Sequence, residues 1–175
     1  MTTPLLLALD MSSVAIGYVV RNGTVLAHGT IYLNAKTDIG HRCDEARFAV
    51  QGLLGEHRAV DAVVIESPVA RFASAVIPQA RLSGAVLAHV VSSGLLWLEI
   101  APKEAKRALC GDGNATKREM LEDAAPHFGY ALEALTLQVK KGKWGAYEAG
   151  ALVYNEDAAD ALGLALAAEH KVKVS

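Results

Sequence analysis

The sequence predicts a single α/β domain over residues 1–175, with a mixed central sheet that opens with three antiparallel strands, continues with parallel ones and is flanked by helices. Three observations carry this prediction. Residues 4–33 hold three consecutive segments rich in β-formers, two of them joined by Asn22-Gly23, a pair that tolerates the positive φ of a tight hairpin turn. From residue 40 onward, helical and strand patterns alternate. The run DAVVIE at 61–66 has four successive apolar residues without alternation, as expected of a strand covered on both faces.

In chain order, the strands at the start read PLLLALD, VAIGYVV and TVLAHGTIYL. A helix follows over 40–57, with Ala46, Val50, Leu53 and Leu54 on one face. After the strand at 61–66, residues 74–92 place Leu82, Val86, His89 and Val90 at helical spacing, and Gly94 supplies a stop. LLWLEI at 95–100 is a further strand. Pro102 opens a short helix to about residue 109, a loop spans 111–114, and Thr116 with Glu119 forms a capping-box signature for a helix ending before Pro126. Residues 129–155 lack core-like periodicity and read as an insertion whose bland form is an exposed surface loop. The alanine-rich stretch 156–169 is the last helix.

Composition bounds the function. A chain that is 52% hydrophobic and 21% charged is neither disordered nor a disulfide scaffold. The apolar stretch near the start, residues 5–9, is far shorter than the roughly 20 residues that span a bilayer. No basic residue precedes it as in a signal peptide, so a soluble cytoplasmic protein without a membrane partner is expected. Cys43 and Cys110 lack metal or redox spacing and read as reduced thiols. The formal charge of −2 argues against a generic polyanion binder, yet with four carboxylates set aside as metal ligands seventeen cations face fifteen anions.

Those four carboxylates are Asp10, Glu66, Asp157 and Asp160. Asp10 and Glu66 each end an apolar strand, where an acid either caps the next turn or faces a ligand beyond the strand ends of an open α/β sheet. Asp157 and Asp160, in EDAADALGLALAA, lie about 60° apart on one helix face. They are either N-terminal acids favoured by the helix dipole or a like-charge pair that needs a cation. Oxygen ligands alone suit a hard divalent ion, and the absence of histidine or thiol partners argues against zinc. Across 101–118, five basic residues, among them Lys106, Arg107, Lys117 and Arg118, face two acids; this is either a solvated helix face or a set of phosphate contacts.

LLALDMSSVAIGYVV, AVVIES and EDAADALGLAL, in this order and spacing, resemble the RuvC family of Holliday-junction resolvases within the ribonuclease H-like superfamily, over almost the whole chain. The resemblance implies a ribonuclease H-like fold and a crossover junction endodeoxyribonuclease with its acidic tetrad at Asp10, Glu66, Asp157 and Asp160. It implies two Mg²⁺ or Mn²⁺ ions about 4 Å apart, bridged by Asp10, and products with 5′-phosphate and 3′-hydroxyl ends. It also implies Lys106 and Lys117 beside the scissile strand, branched DNA in the form of a four-way junction as partner, and a homodimer through the helix at 74–92. The small residues of that helix, Ala75, Ala80, Gly84 and Ala88, fit such a contact and fit packing within the chain equally.

The chain departs from the family in three places. It reads Asp10-Met11-Ser12-Ser13 where better-known members read Asp-Pro-Gly-Ser, and the aromatic that family members carry just after the glutamate has its nearest counterpart at Phe72. The insertion adds Lys140, Lys141, Lys143 and Trp144, which either decorate a surface loop or contact phosphates and stack on opened bases. The divergence points to a phage or virus member acting in a host cytoplasm. Three alternatives stand beside this reading: a broader branched-DNA or RNA/DNA-hybrid nuclease, a fragment of an actin-like ATPase, and a nucleic-acid-binding module without catalysis.

Overall fold

The computed structural model describes residues 3–68, 73–148 and 150–172. Five strands form the main sheet: β1 (Leu6–Met11), β2 (Ala15–Asn22), β3 (Thr24–Tyr32), β4 (Ala62–Glu66) and β5 (Leu96–Ile100). Their spatial order is β3-β2-β1-β4-β5. β1, β2 and β3 pair antiparallel, whereas β4 lies parallel to β1 and β5 parallel to β4. This is the mixed sheet expected from the sequence. The β2–β3 hairpin turns at Gly23, and its register shifts between Val20 and Arg21, a bulge that the Asn22-Gly23 signal did not announce.

Helices cover both faces. Alternation along β1 and β4 divides their residues between two cores: Leu7, Leu9, Val63 and Ile65 pack with α1 (Ile39–Glu56) and α2 (Ala73–Ser92). Leu6, Ala8, Ala62 and Val64 pack with α3 (Pro102–Cys110), α4 (Lys117–Ala124) and α5 (Glu156–Ala168). The unbroken apolar run of β4 is thus explained by burial on both sides. Helix α5 buries Ala158, Ala159, Ala161, Leu162, Gly163, Leu164, Ala165 and Ala168, which accounts for its alanine-rich sequence.

Two sequence readings are refined. Residues 129–155 are not an irregular loop. They include a second sheet, β6 (Thr136–Lys140), β7 (Lys143–Glu148) and β8 (Ala151–Val153), paired antiparallel in that order. Lys141 and Gly142, both at positive φ, make the two-residue turn between β6 and β7. The strands are short and mostly half-exposed, so their alternation is too weak to read.

Helix α2 sends Leu82, Val86 and Val90 into the core, while Ile77, Ala80, Gly84, Ala88 and Val91 face outward. Of its small residues, Ala80, Gly84 and Ala88 are exposed, not packed against other described residues in the core. The side chain of Ala75 and the whole of Phe72 lie outside the described residues. No helix among the described residues is long and apolar enough to cross a membrane.

Candidate metal and nucleic-acid site

Asp10 and Glu66 stand next to each other because β1 and β4 run parallel, with Leu9 paired to Ile65 one position earlier. Both share the alternation of Ala8 and Val64, so they face the α5 side of the sheet. The first turn of α5 reaches them across β2 through Gly17, which pairs with Asp10. A Cβ on Gly17 would lie 2.2 Å from the Asp157 carbonyl oxygen. A bare backbone at this position is therefore what admits Asp157 to the acids, and an isolated glycine inside the strand pattern AIGYVV was the available signal for it.

The turn after Asp10, where Met11-Ser12-Ser13 departs from the family pattern, is closed by Ser12. Its Oγ accepts from the Ala15 N–H at 3.0 Å, and its own N–H donates to the Ala15 carbonyl at 2.9 Å.

Electrostatics record the crowding. Asp10 has its carboxyl pushed up to about 7, foremost by burial and then by Glu66 and Asp157, against the lowering influence of Lys117 and Lys143. Burial raises Glu66 as well, opposed by Lys117 and Lys106. On α5, Asp160 is ion-paired with Lys117, which also lies 3.6 Å from Glu156, and Asp157 is paired with Lys143 at 2.5 Å. The two aspartate side chains are only 13% and 17% exposed, so lysine ammoniums, rather than water, supply most of their neutralisation.

The remaining basic residues divide between the site and the surface. Lys106 on α3 donates to the Ala115 carbonyl at 2.5 Å and ties the loop before α4 to α3, while its charge lowers Glu66. The capping box is present, with Thr116 Oγ1 accepting from the Glu119 N–H, and it fixes Lys117 as the first residue of α4. Arg118 instead pairs with Glu122 on its own helix at 2.8 Å, and Arg107 is exposed on α3. Lys140 and Lys141 are exposed at the hairpin tip.

Trp144 is half-buried, and its backbone N–H donates to Glu156 Oε2 at 3.0 Å. Sequence reasoning missed Glu156, hidden beside a stronger pair of aspartates. It also missed Tyr32, 63% exposed at the end of β3, whose ring centroid lies 5.6 Å from the Lys143 ammonium.

Comparison with known proteins fits this geometry. The family described as crossover junction endodeoxyribonuclease RuvC matches residues 7–122, the span that carries Asp10, Glu66, Lys106 and Lys117. The chain belongs to the RuvC family. A RuvC from Halorhodospira halophila is 28% identical over 169 residues, covering 94% of this chain and 89% of that protein. A second, from Parvibaculum lavamentivorans, is 29% identical over 150 residues, 84% of this chain and 73% of that protein. The solved structure of Thermus thermophilus RuvC in complex with a Holliday junction substrate superposes with a TM-score of 0.70 at 20% identity, covering 96% of this chain and 94% of that one.

The chain is therefore a nuclease of the crossover-junction class with the RuvC fold, and metal dependence comes with the family. The actin-like and non-catalytic alternatives fall away. The donor chemistry fits hard divalent ions, since it is carboxylate oxygen alone, and Glu66 and Asp157 are near enough to raise Asp10. Asp157 and Asp160 are engaged by Lys143 and Lys117, and among the described residues no three acids, histidines or cysteines converge as a formed metal site.

Proposed function

We propose that Asp10, Glu66, Asp157 and Asp160 form the metal-binding and catalytic centre of an endonuclease that resolves four-way DNA junctions by paired, symmetric incisions. The observation that supports this most is the Asp10 carboxyl, raised to about 7 by burial and by carboxylates from a neighbouring strand and from α5. Such a carboxylate is costly to ionise unless a cation accompanies it, and a pair of Mg²⁺ or Mn²⁺ ions is the complement. When bound, such ions lower the pKa of an attacking water and stabilise the leaving 3′-oxygen, giving 5′-phosphate and 3′-hydroxyl ends.

The chain's own residues do the rest. Asp10 and Glu66, fixed on adjacent strands, set the floor of the site. Helix α5, packed closely against Gly17, supplies Asp157 and Asp160 to the ligand set. Lys106 and Lys117, whose charges already reach Glu66, hold the phosphodiester over the acids. Lys140 and Lys141 at the hairpin tip extend this contact along a flanking strand, with Arg107 and Arg118 as outlying phosphate contacts.

The partner is a second copy of the chain, joined through the outward stripe of α2 formed by Ile77, Ala80, Gly84, Ala88 and Val91, small and apolar residues that the protomer leaves uncovered. A two-fold dimer presents two acid sites to the two symmetric strands of a junction.

Cleavage assays on four-way, flap and RNA/DNA-hybrid substrates side by side, with Mg²⁺ or Mn²⁺, test the reading. The four-way junction should be cut most efficiently, with matching nicks on opposite strands. Preferential cutting of the hybrid or the flap would replace junction resolution by a broader nuclease activity.

A further inference from the structure

The second sheet does more than lengthen the chain. Its central strand β7 meets the first turn of α5 at two consecutive residues, through the Lys143 ammonium on Asp157 at 2.5 Å and the Trp144 backbone N–H on Glu156 at 3.0 Å. The Lys143 side chain is 35% exposed, and its ammonium also lies 5.6 Å from the ring centroid of Tyr32. Lys143 is therefore neither a core residue nor a freely solvated one. It is a monovalent cation delivered by the second sheet to a carboxylate whose charge acts on Asp10.

A divalent ion and an ammonium cannot both sit against the same carboxylate oxygen without strong mutual repulsion, least of all where burial weakens screening. Asp157 thus has two competing partners. A lysine released from it retains its charge, and with its strand anchored beside the acids the natural destination is the phosphate of a DNA strand lying over them.

We infer that Lys143 is a positioning residue that guards Asp157 in the DNA-free protein and exchanges it for a backbone phosphate on substrate binding, so that occupation of the α5 acids by divalent metal is coupled to the arrival of DNA. The coupling is reciprocal: whatever DNA adds to metal affinity, metal adds to DNA affinity. This inference rests on the reading of Asp157 as a metal ligand.

The test is Mn²⁺ binding to the metal-free protein by titration calorimetry, without DNA, for wild type, Lys143→Met, Lys143→Arg and Asp10→Asn. It is joined by the Mn²⁺ dependence of junction cleavage for wild type and the two Lys143 variants. Lys143→Met should bind Mn²⁺ about tenfold more tightly than wild type and reach half-maximal cleavage at lower Mn²⁺, while its rate at saturating Mn²⁺ falls at least tenfold. Lys143→Arg should stay near wild type in affinity. A lysine that merely braced the sheet would on removal weaken metal binding and cleavage together.

Unchanged or weaker Mn²⁺ affinity in Lys143→Met overturns the guarding role, and an undiminished saturated rate overturns the transfer to phosphate. Should Lys143→Met not fold, Lys143→Gln serves with the same expectations. Mn²⁺ binding that Asp10→Asn leaves intact would remove the acid site itself and this inference with it. Binding that Asp10→Asn abolishes and Lys143→Met leaves unaltered would remove only the inference.

Discussion

Asp10, proposed as a metal ligand, works against the fold that holds it. Its carboxyl titrates near 7 in the folded chain against 3.8 as an ordinary aspartate, because burial, Glu66 and Asp157 all disfavour the charge. A group whose folded pKa is raised contributes its full stability below the unfolded value and loses it as pH rises through the folded one. The metal-free protein should therefore lose stability on this account between pH 3.8 and about 7. Asp10→Asn removes the titration. In thermal melts with chelator, the variant should gain about 4 kcal/mol over wild type at pH 8 and less than about 1 kcal/mol at pH 4. Added Mg²⁺ should raise the melting temperature of wild type alone. A constant difference between the two proteins across pH would refute the assignment of this strain to Asp10.

At the scale of elements, the site depends on where α5 lands. Gly17→Ala introduces a Cβ 2.2 Å from the Asp157 carbonyl oxygen, so helix and sheet must separate. The expected cost is about 1–3 kcal/mol in denaturant unfolding, as for other overpacked contacts, together with loss of Mg²⁺-induced stabilisation. Wild-type stability in this variant would mean that α5 sits elsewhere. The second sheet makes a separate prediction: if Lys140 and Lys141 contact phosphates, changing both to alanine should flatten the slope of log K against log salt by up to about 0.9 per lost contact. An unchanged slope would return the hairpin tip to the solvent.

The same elements explain what was legible beforehand. β1, β4 and α5 could be read because they are buried on two sides or nearly all round, which leaves unbroken apolar runs in the sequence, and because acids at the ends of such runs have no packing role to explain them. The capping box at Thr116 and Glu119 could be read because its hydrogen bonds are local. β6, β7 and β8 escaped since their register is set by one another and by α5, not by a periodic core face. Glu156 and Tyr32 escaped for a related reason: their importance lies in contacts with Trp144 and Lys143, which only the tertiary arrangement creates.

For the molecule as a whole, paired incision requires two acid sites acting on one junction. Light scattering at micromolar concentration should give the mass of a dimer, and Ala88→Arg on the outward stripe of α2 should reduce it to that of a monomer without lowering the melting temperature of the protomer. A wild-type monomer, both free and junction-bound, would rule out paired incision.

The central claim, that the four acids carry the chemistry and not the binding, is tested most directly by comparing junction cleavage with junction affinity in Asp10→Asn, Glu66→Gln, Asp157→Asn and Asp160→Asn. Each should lose cleavage in Mg²⁺ by at least a thousandfold while binding a four-way junction within a fewfold of wild type. Near-normal cleavage by any one of them, Asp160→Asn above all, would contradict the four-carboxylate site.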